Sequence, residues 1–470
     1  MILKRFYHDR LAAASYLVGC EATGEALVVD PTRDLEQYLQ AARAERVRIT
    51  HVTETHIHAD FVSGTRELAA LTNAQALLSA EGGDGWQYAY AEGEGAILLR
   101  EGDSFRVGEV RIDVLHTPGH TPEHLSLMIT DRAAANAPMG VFTGDFIFVG
   151  DIGRPDLLEK TANLRGSMEE GARQLFGSLQ RFKELPEYLQ LWPGHGAGSA
   201  CGKALGAVPQ STLGYEKRFS PPFSYQTEEE FVRAVLEGQP SAPKYFAEMK
   251  RINREGPLPL GEFKTAGPLP DARLAEVLGD DGAVVLDLRP AARYGAGHLP
   301  GALSIPLNRS FTTWAGWLLP YDRELYLIAA EPQVNEAAKE LAMIGLDRVG
   351  GYFDPQAVAA WEGSGRQLET VREISAAEAA ERMRRGELAV LDVRNPSEWE
   401  EGHLPGVENI PLGELPDRLG EVTPGDKPLL VHCKAGGRGA IAASLLQHHG
   451  VKNVMNLRGG FDAWTARSAR

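Results

Sequence analysis

Seven of the 13 histidines fall between His51 and His195, and the informative ones sit in short clusters. The segments are Thr55-His56-Ile57-His58-Ala59-Asp60, His116-Thr117-Pro118-Gly119-His120, Thr143-Gly144-Asp145 and Trp192-Pro193-Gly194-His195-Gly196. Imidazole nitrogens and a carboxylate converging from four segments make a metal site suited to zinc or non-haem iron. A second centre of chemistry is Val431-His432-Cys433-Lys434-Ala435-Gly436-Gly437-Arg438. A strand, a loop opening on Cys and a helix would curl backbone N–H groups and a helix N-terminus around the sulfur. Lys434 and Arg438 add positive charge, and the glycines allow a tight backbone path. The expected product is a thiolate nucleophile with a cradle of Lys434, Ala435, Gly436 and Gly437 for a terminal persulfide anion.

These groups need elements to position them. Each histidine or aspartate segment follows a strand-like apolar run: Arg48 to Val52, Val110 to Leu115, Met139 to Phe142 and Tyr188 to Leu191. Strand ends along one sheet edge would bring the four together. Downstream, Leu286-Asp287-Leu288-Arg289, Gly297-His298-Leu299-Pro300-Gly301 and Ile305-Pro306-Leu307 return from Leu391 onward, 105 residues later, with 11 of 22 aligned positions identical. That period is too long for a solenoid and fits a duplicated domain. Strands alternating with Ala- and Leu-rich helical stretches imply a parallel sheet covered by helices. In the first copy Ala329 stands where Cys433 stands, and Glu331, Pro332 and Gln333 replace the cradle, so this copy cannot form a persulfide. Breaks near Glu255-Gly256-Pro257-Leu258-Pro259 and Gly363-Ser364-Gly365 divide the chain into domains 1–255, 256–366 and 367–470. The apolar runs flanking Thr23-Gly24 read as an opening β-hairpin rather than a signal peptide.

Composition sets the outer bounds. The 470 residues suggest about three domains, and 43% hydrophobic with 24% charged residues is ordinary for a globular chain. A net charge of −16 gives no electrostatic footprint for nucleic acid. No apolar run reaches the roughly 18 residues that span a bilayer. Three cysteines build no disulfide framework, so they are expected as thiols in a reducing, cytoplasmic setting.

The histidine segments resemble the metallo-β-lactamase superfamily, with its T-H-x-H-x-D-H signature, distal His and Asp, and final His. The resemblance implies an αββα sandwich over residues 1 to about 220, with the metal at one edge of its two sheets; the repeated segments behind it read as two α/β domains with parallel sheets. Phe61 departs from the pattern, occupying the place of a histidine that serves the family's second metal. A single metal on His56, His120 and Asp145 would be a 2-His-1-carboxylate set with open positions. That is similar to the persulfide dioxygenase branch, which implies one Fe(II) per chain, zinc being the alternative. His58, Asp60 and His195 would then orient ligands and waters. The segments Gly153-Arg154-Pro155-Asp156 and Gly214-Tyr215-Glu216-Lys217-Arg218 also resemble that branch. They offer Arg154, Lys217 and Arg218 either to carboxylates or phosphates of a thiol carrier or to loop-anchoring ion pairs. Cys201 is a candidate to take sulfane sulfur or engage substrate, or else a small buried residue.

The C-x-x-G-x-R loop, with Asp392-Val393-Arg394 and Gly402-His403-Leu404-Pro405-Gly406 upstream, resembles the rhodanese sulfurtransferase domain. Dual-specificity phosphatases carry a related loop one residue longer. The full order resembles fused persulfide dioxygenase–sulfurtransferases of sulfide detoxification. It implies a low-molecular-weight thiol persulfide, O2 and sulfite as reactants and thiosulfate as product. Cys433, Arg438 and Cys201 are the catalytic candidates, no nucleic acid or membrane partner is expected, and a homo-oligomer is. Two rivals stand beside this reading. One is a zinc thioester hydrolase of the glyoxalase II type, which Phe61 argues against; the other is a non-catalytic sulfur carrier or redox sensor.

Overall fold

The computed structural model describes residues 1–157, 167–239, 241–261 and 266–468. They form two compact units, Met1–Phe263 with Ala342–Gly345, and Lys264–Leu341 with Leu346–Arg470.

Two six-stranded sheets make up the first unit. One runs in chain order from Ile2–His8 through Ala13–Cys20, Glu25–Val29, Arg48–Thr53 and Gln75–Ser79 to Ile97–Leu99. The other runs from Ser104–Val107 through Val110–His116, Leu125–Asp131, Gly140–Gly144 and Gln190–Pro193 to Ser211–Thr212. Their facing sides share one apolar cluster, with Tyr16, Val18 and Val29 from the first sheet and Ile112, Leu127 and Phe142 from the second. The outer faces are covered by helices, Glu36–Glu45 and Thr65–Thr72 on the first sheet, Ser167–Lys183 and Glu228–Leu236 on the second. In Ser167–Lys183 the buried Ala172, Leu175, Leu179 and Phe182 recur every three or four residues, which is the apolar stripe a covering helix needs. Ala13–Cys20 is buried at every position because layers cover both its faces, so it shows no alternation. It pairs antiparallel with Glu25–Val29 around Gly24 at φ +67°, the expected hairpin. This is the αββα sandwich, and His56, His120, Asp145 and His195 all follow C-terminal strand ends.

The second unit holds two parallel sheets. One orders its strands Leu303–Ser304, Ala283–Asp287, Glu324–Ile328, Val349–Phe353; the other Arg372–Ile374, Val454–Leu457, Leu429–His432, Ala389–Asp392, Glu408–Asn409. The repeated motifs hold equivalent places. Arg289 forks onto Asp287 and Arg394 onto Asp392, at 2.7 and 2.6 Å, and each arginine also donates to the carbonyl of Gly297 or Gly402. His298 stacks on Tyr294 and His403 on Trp399, centroids 3.7 and 3.9 Å apart. Both copies keep these contacts whether or not they have a thiol, so the contacts serve the fold. The copies meet where Ser304 N–H donates to Ser444 Oγ at 3.1 Å and His448 Nδ1 to the Gly301 carbonyl at 2.6 Å. Among the described residues no helix is long and apolar enough to cross a membrane.

Candidate functional site

His56, His120 and Asp145 converge in the first unit, all buried. Asp145 Oδ2 lies 3.8 Å from His56 Nε2 and 3.4 Å from His120 Nε2. The opposite ring nitrogens explain which atoms face inward. Thr55 Oγ1 donates to Asp30 Oδ2 at 2.9 Å, so at 2.9 Å from His56 Nδ1 it can only accept, and His56 carries its proton there. His120 Nδ1 faces the Arg154 carbonyl at 3.1 Å and must likewise be the protonated nitrogen. Two bare Nε2 lone pairs and a carboxylate oxygen therefore point at one spot. His56 Nε2 and Asp145 Oδ2 are buried with no hydrogen-bond partner, a cost that a cation between them would remove. The donors fit a metal with two nitrogens and one oxygen. Burial holds His56 and His120 below the ordinary imidazole range, which keeps them neutral. Burial alone would raise Asp145, but His195 and the other imidazoles hold it well below the carboxylate range.

His195 stands behind this set. Its Nδ1 is 2.6 Å from Asp145 Oδ1 and its Nε2 2.7 Å from Asp60 Oδ2, so both nitrogens donate to carboxylates. Burial opposes a charge on this ring, but Asp145 and Asp60 outweigh it and push the imidazole well above its usual range. His58 bonds Asp30 at 3.1 Å and stacks on Phe61, centroids 4.3 Å apart. The loop is locked from distant parts of the chain. Glu123 accepts the Ile57 N–H at 2.8 Å, and Asn253 Nδ2 donates to the carbonyls of His58 and Phe61. Two glycines permit the crowding: a Cβ on Gly153 would sit 1.8 Å from the Asp145 carbonyl oxygen, and one on Gly144, at φ +48°, 2.5 Å from Thr55 Oγ1. His124 accepts the Asp145 N–H at 3.1 Å, and His116 faces the Pro122 carbonyl, so both anchor backbone.

Cys201 comes to this edge too, its Sγ within 4.8 Å of ligand atoms of Asp60 and His195. Burial, then the charges of Asp145 and Asp60, push the thiol well above its usual range. Of the two readings of Arg154, the structure shows the loop-anchoring ion pair. Arg154 is fully buried, forks onto Asp156 at 2.7 and 2.6 Å, and donates to the Ala200 carbonyl, while its N–H bonds the Cys201 carbonyl. It therefore laces the His120 and Cys201 loops together. Lys217 and Arg218 both pair with Glu187, as ion-pair anchors of the helix Leu213–Phe219, and are not brought to the metal cluster.

In the second unit Cys433 follows the strand Leu429–His432 and is buried. Gly436, at φ +98°, turns its N–H onto Sγ at 3.1 Å just before the helix Gly437–His448. The helix Gly460–Ser468 closes the loop from below, with Phe461 and Asp462 N–H groups on the Cys433 and Lys434 carbonyls at 2.7 and 3.0 Å. The two cations expected to bias the thiol are paired instead, Lys434 with Asp462 at 3.3 Å and Arg438 with Glu398 at 2.6 Å. In the first copy Ala329 and the helix Glu331–Met343 take these places, without a thiol.

Among known proteins, the metallo-beta-lactamase superfamily matches residues 8–195 and the rhodanese-like domain matches residues 271–354 and 375–467. A crystal structure of a metallo-beta-lactamase from Staphylococcus aureus is 46% identical, covers 76% of this chain and 99% of its own, and superposes with a TM-score of 0.70. A hydroxyacylglutathione hydrolase of Rhodospirillum rubrum is 31% identical over 180 residues, 38% of this chain and 60% of its own. The persulfide dioxygenase ETHE1 of Mus musculus is 26% identical over 164 residues, 34% of this chain and 59% of its own. The chain spans 54–61% of the length of the first such curated relatives.

Proposed function

We propose that this chain, which belongs to the metallo-β-lactamase superfamily and carries two rhodanese-like domains behind its metal domain, oxidises a thiol persulfide to sulfite and makes thiosulfate at Cys433. The observation that carries the reading is one set of converging donors: His56 Nε2, His120 Nε2 and Asp145 Oδ2 face one another, beside a second group of Asp60, His195 and Cys201. His195 is taken on both sides by carboxylates, and Phe61 fills the place of a second-metal histidine. That arrangement supports one metal per chain, and Fe(II) is the ion that suits two imidazoles, one carboxylate and open positions. When bound by His56, His120 and Asp145, it would supply dioxygen chemistry.

The protein's own groups do the rest. Thr55 and the Arg154 carbonyl fix both imidazole tautomers, and His195 fixes the Asp145 carboxylate. We assign Cys201, whose Sγ lies within 4.8 Å of ligand atoms of Asp60 and His195, to meet a sulfane sulfur. The balance is one persulfide, one O2 and one water giving the free thiol, sulfite and two protons. Cys433 first attacks the outer sulfur of a second thiol persulfide and releases the free thiol; the bond from Sγ to that sulfur then breaks as sulfite attacks it, thiosulfate leaves and the Cys433 thiolate returns. Gly436 N–H steadies the sulfur through this exchange. Three free buried cysteines fit a reducing cytoplasm.

The second reading is thioester hydrolysis, favoured by the likeness to hydroxyacylglutathione hydrolase. A substrate comparison separates the two. Persulfide-dependent O2 consumption with sulfite release is expected, and hydrolysis of a hydroxyacyl thioester without O2 consumption would give the site to the hydrolase.

A further inference from the structure

Arg438 opens the helix that follows the Cys433 loop, where a guanidinium is the natural clamp for an oxyanion held beside the sulfur. Here the fork is already occupied: Nη1 lies 2.6 Å from Glu398 Oε2 and Nη2 2.7 Å from Oε1. Glu398 is held in turn. Its Oε2 accepts the Asn395 N–H at 3.1 Å in a capping box, and its carbonyl accepts from Arg394 at 3.1 Å. Burial alone would raise the Glu398 carboxyl, but the hydrogen bonds and charge of Arg438 outweigh it and hold the group below its usual range.

The two copies show what this pair is for. In the register that aligns Cys433 with Ala329, Arg438 falls on Val334, and in the 105-residue register of the upstream repeated segments Glu398 falls on Arg293. The copy without a thiol has therefore lost both partners, while it keeps the Asp–Arg pair and the Gly-His-Leu-Pro-Gly segment. Contacts that hold the fold persist in both copies; the Glu398–Arg438 pair accompanies the working cysteine.

We propose that Glu398 is a specificity-determining residue of the Cys433 loop: by closing Arg438 into an ion pair it reserves the cradle for a sulfur held by backbone N–H groups and keeps phosphate and phosphate monoesters out of it. The proposal rests on Cys433 being the nucleophile of the loop. A phosphate dianion would have to displace a carboxylate from both terminal nitrogens of Arg438 and would meet its charge at close range. Removing that carboxylate leaves an open guanidinium next to the helix N-terminus, which is a phosphate site.

The test is the rate of Cys433 alkylation by iodoacetamide in the full chain, with and without inorganic phosphate, read by mapping the labelled peptide. Phosphate should leave the wild-type rate unchanged and slow alkylation of Glu398→Gln roughly tenfold or more, the worth of one charge-assisted hydrogen bond. Glu398→Ala should show the same protection by a route that leaves no amide to pair. Glu398→Asp should restore insensitivity, and Arg438→Ala placed on Glu398→Gln should remove the acquired protection. Phosphate protection of the wild-type thiol, or its absence in both Glu398→Gln and Glu398→Ala, would overturn the proposal. Alkylation reads the thiol itself, so a chain that shows this pattern yet forms no thiosulfate refutes the sulfur-transfer reading alone.

Discussion

Asp145 gives one carboxylate oxygen to His195 Nδ1 at 2.6 Å and turns the other toward the Nε2 atoms of His56 and His120. One side chain thus divides the cluster into a face that can hold a metal and a face that holds the carboxylate still. Asp60 closes the far side of His195 at 2.7 Å, so the imidazole is fixed at both nitrogens.

His120→Ala and His195→Ala should therefore fail differently. His120→Ala removes a ligand and should lose metal and O2 uptake together. His195→Ala keeps the ligand set but leaves two buried carboxylates without their shared partner, a loss of about 3–5 kcal/mol in stability. Metal affinity should fall about 10- to 100-fold, as when a group that orients a ligand is removed. Urea unfolding and metal analysis read both quantities, and a His195→Ala protein as stable and metal-rich as wild type would contradict this division of labour.

Cys433→Ser should abolish thiosulfate formation while O2 uptake continues and sulfite accumulates. Product analysis by ion chromatography beside an oxygen electrode decides it. Loss of O2 uptake in the same variant would show that the two sites do not work separately.

Gly460→Ala tests the loop without touching the sulfur. A Cβ there would sit 2.3 Å from the Cys433 carbonyl oxygen and 2.5 Å from that of Lys434, on backbone at φ +58°. The cradle must shift, and a displacement of about 1 Å is worth about a hundredfold in rate. Sulfur transfer should fall by that order with O2 uptake unchanged.

Acid should weaken the second unit through His298. Burial, chiefly, lowers this imidazole from 6.5 to about 4 in the folded state. The unfolded chain binds its proton first as pH falls, so the stabilisation is complete above pH 6.5 and is lost on the way down to about pH 4. The loss is about 3 kcal/mol. Calorimetric unfolding at both ends of that window should show it, and His298→Asn should flatten the slope.

The cluster of His56, His120 and Asp145 was legible because histidines and an aspartate are conspicuous after apolar strand runs, and the duplicated Leu-Asp-x-Arg and Gly-His-Leu-Pro-Gly segments exposed the second unit. What escaped was everything supplied by tertiary contact. Asn253 reaches His58 across 195 residues and Glu123 reaches Ile57 across 66, and no local pattern marks either. Asp30 ends an ordinary apolar strand run, and only the fold sets it against Thr55 and His58. The sequence leaves Arg154 open between a substrate contact and a loop-anchoring ion pair, because it does not reveal that the arginine is wholly buried beside its own aspartate. The loop sequence shows the positive charge of Lys434 and Arg438 but not the carboxylates that pair with it, because Asp462 and Glu398 lie outside the loop.

The most direct measurement is metal content by elemental analysis of protein purified anaerobically, with O2 uptake recorded on the same sample after adding a thiol persulfide. About one iron per chain with persulfide-dependent uptake is the predicted result. Two zinc ions per chain and no uptake would mean that Asp60, His195 and Cys201 hold a second ion despite Phe61, and would contradict the mononuclear oxygenase.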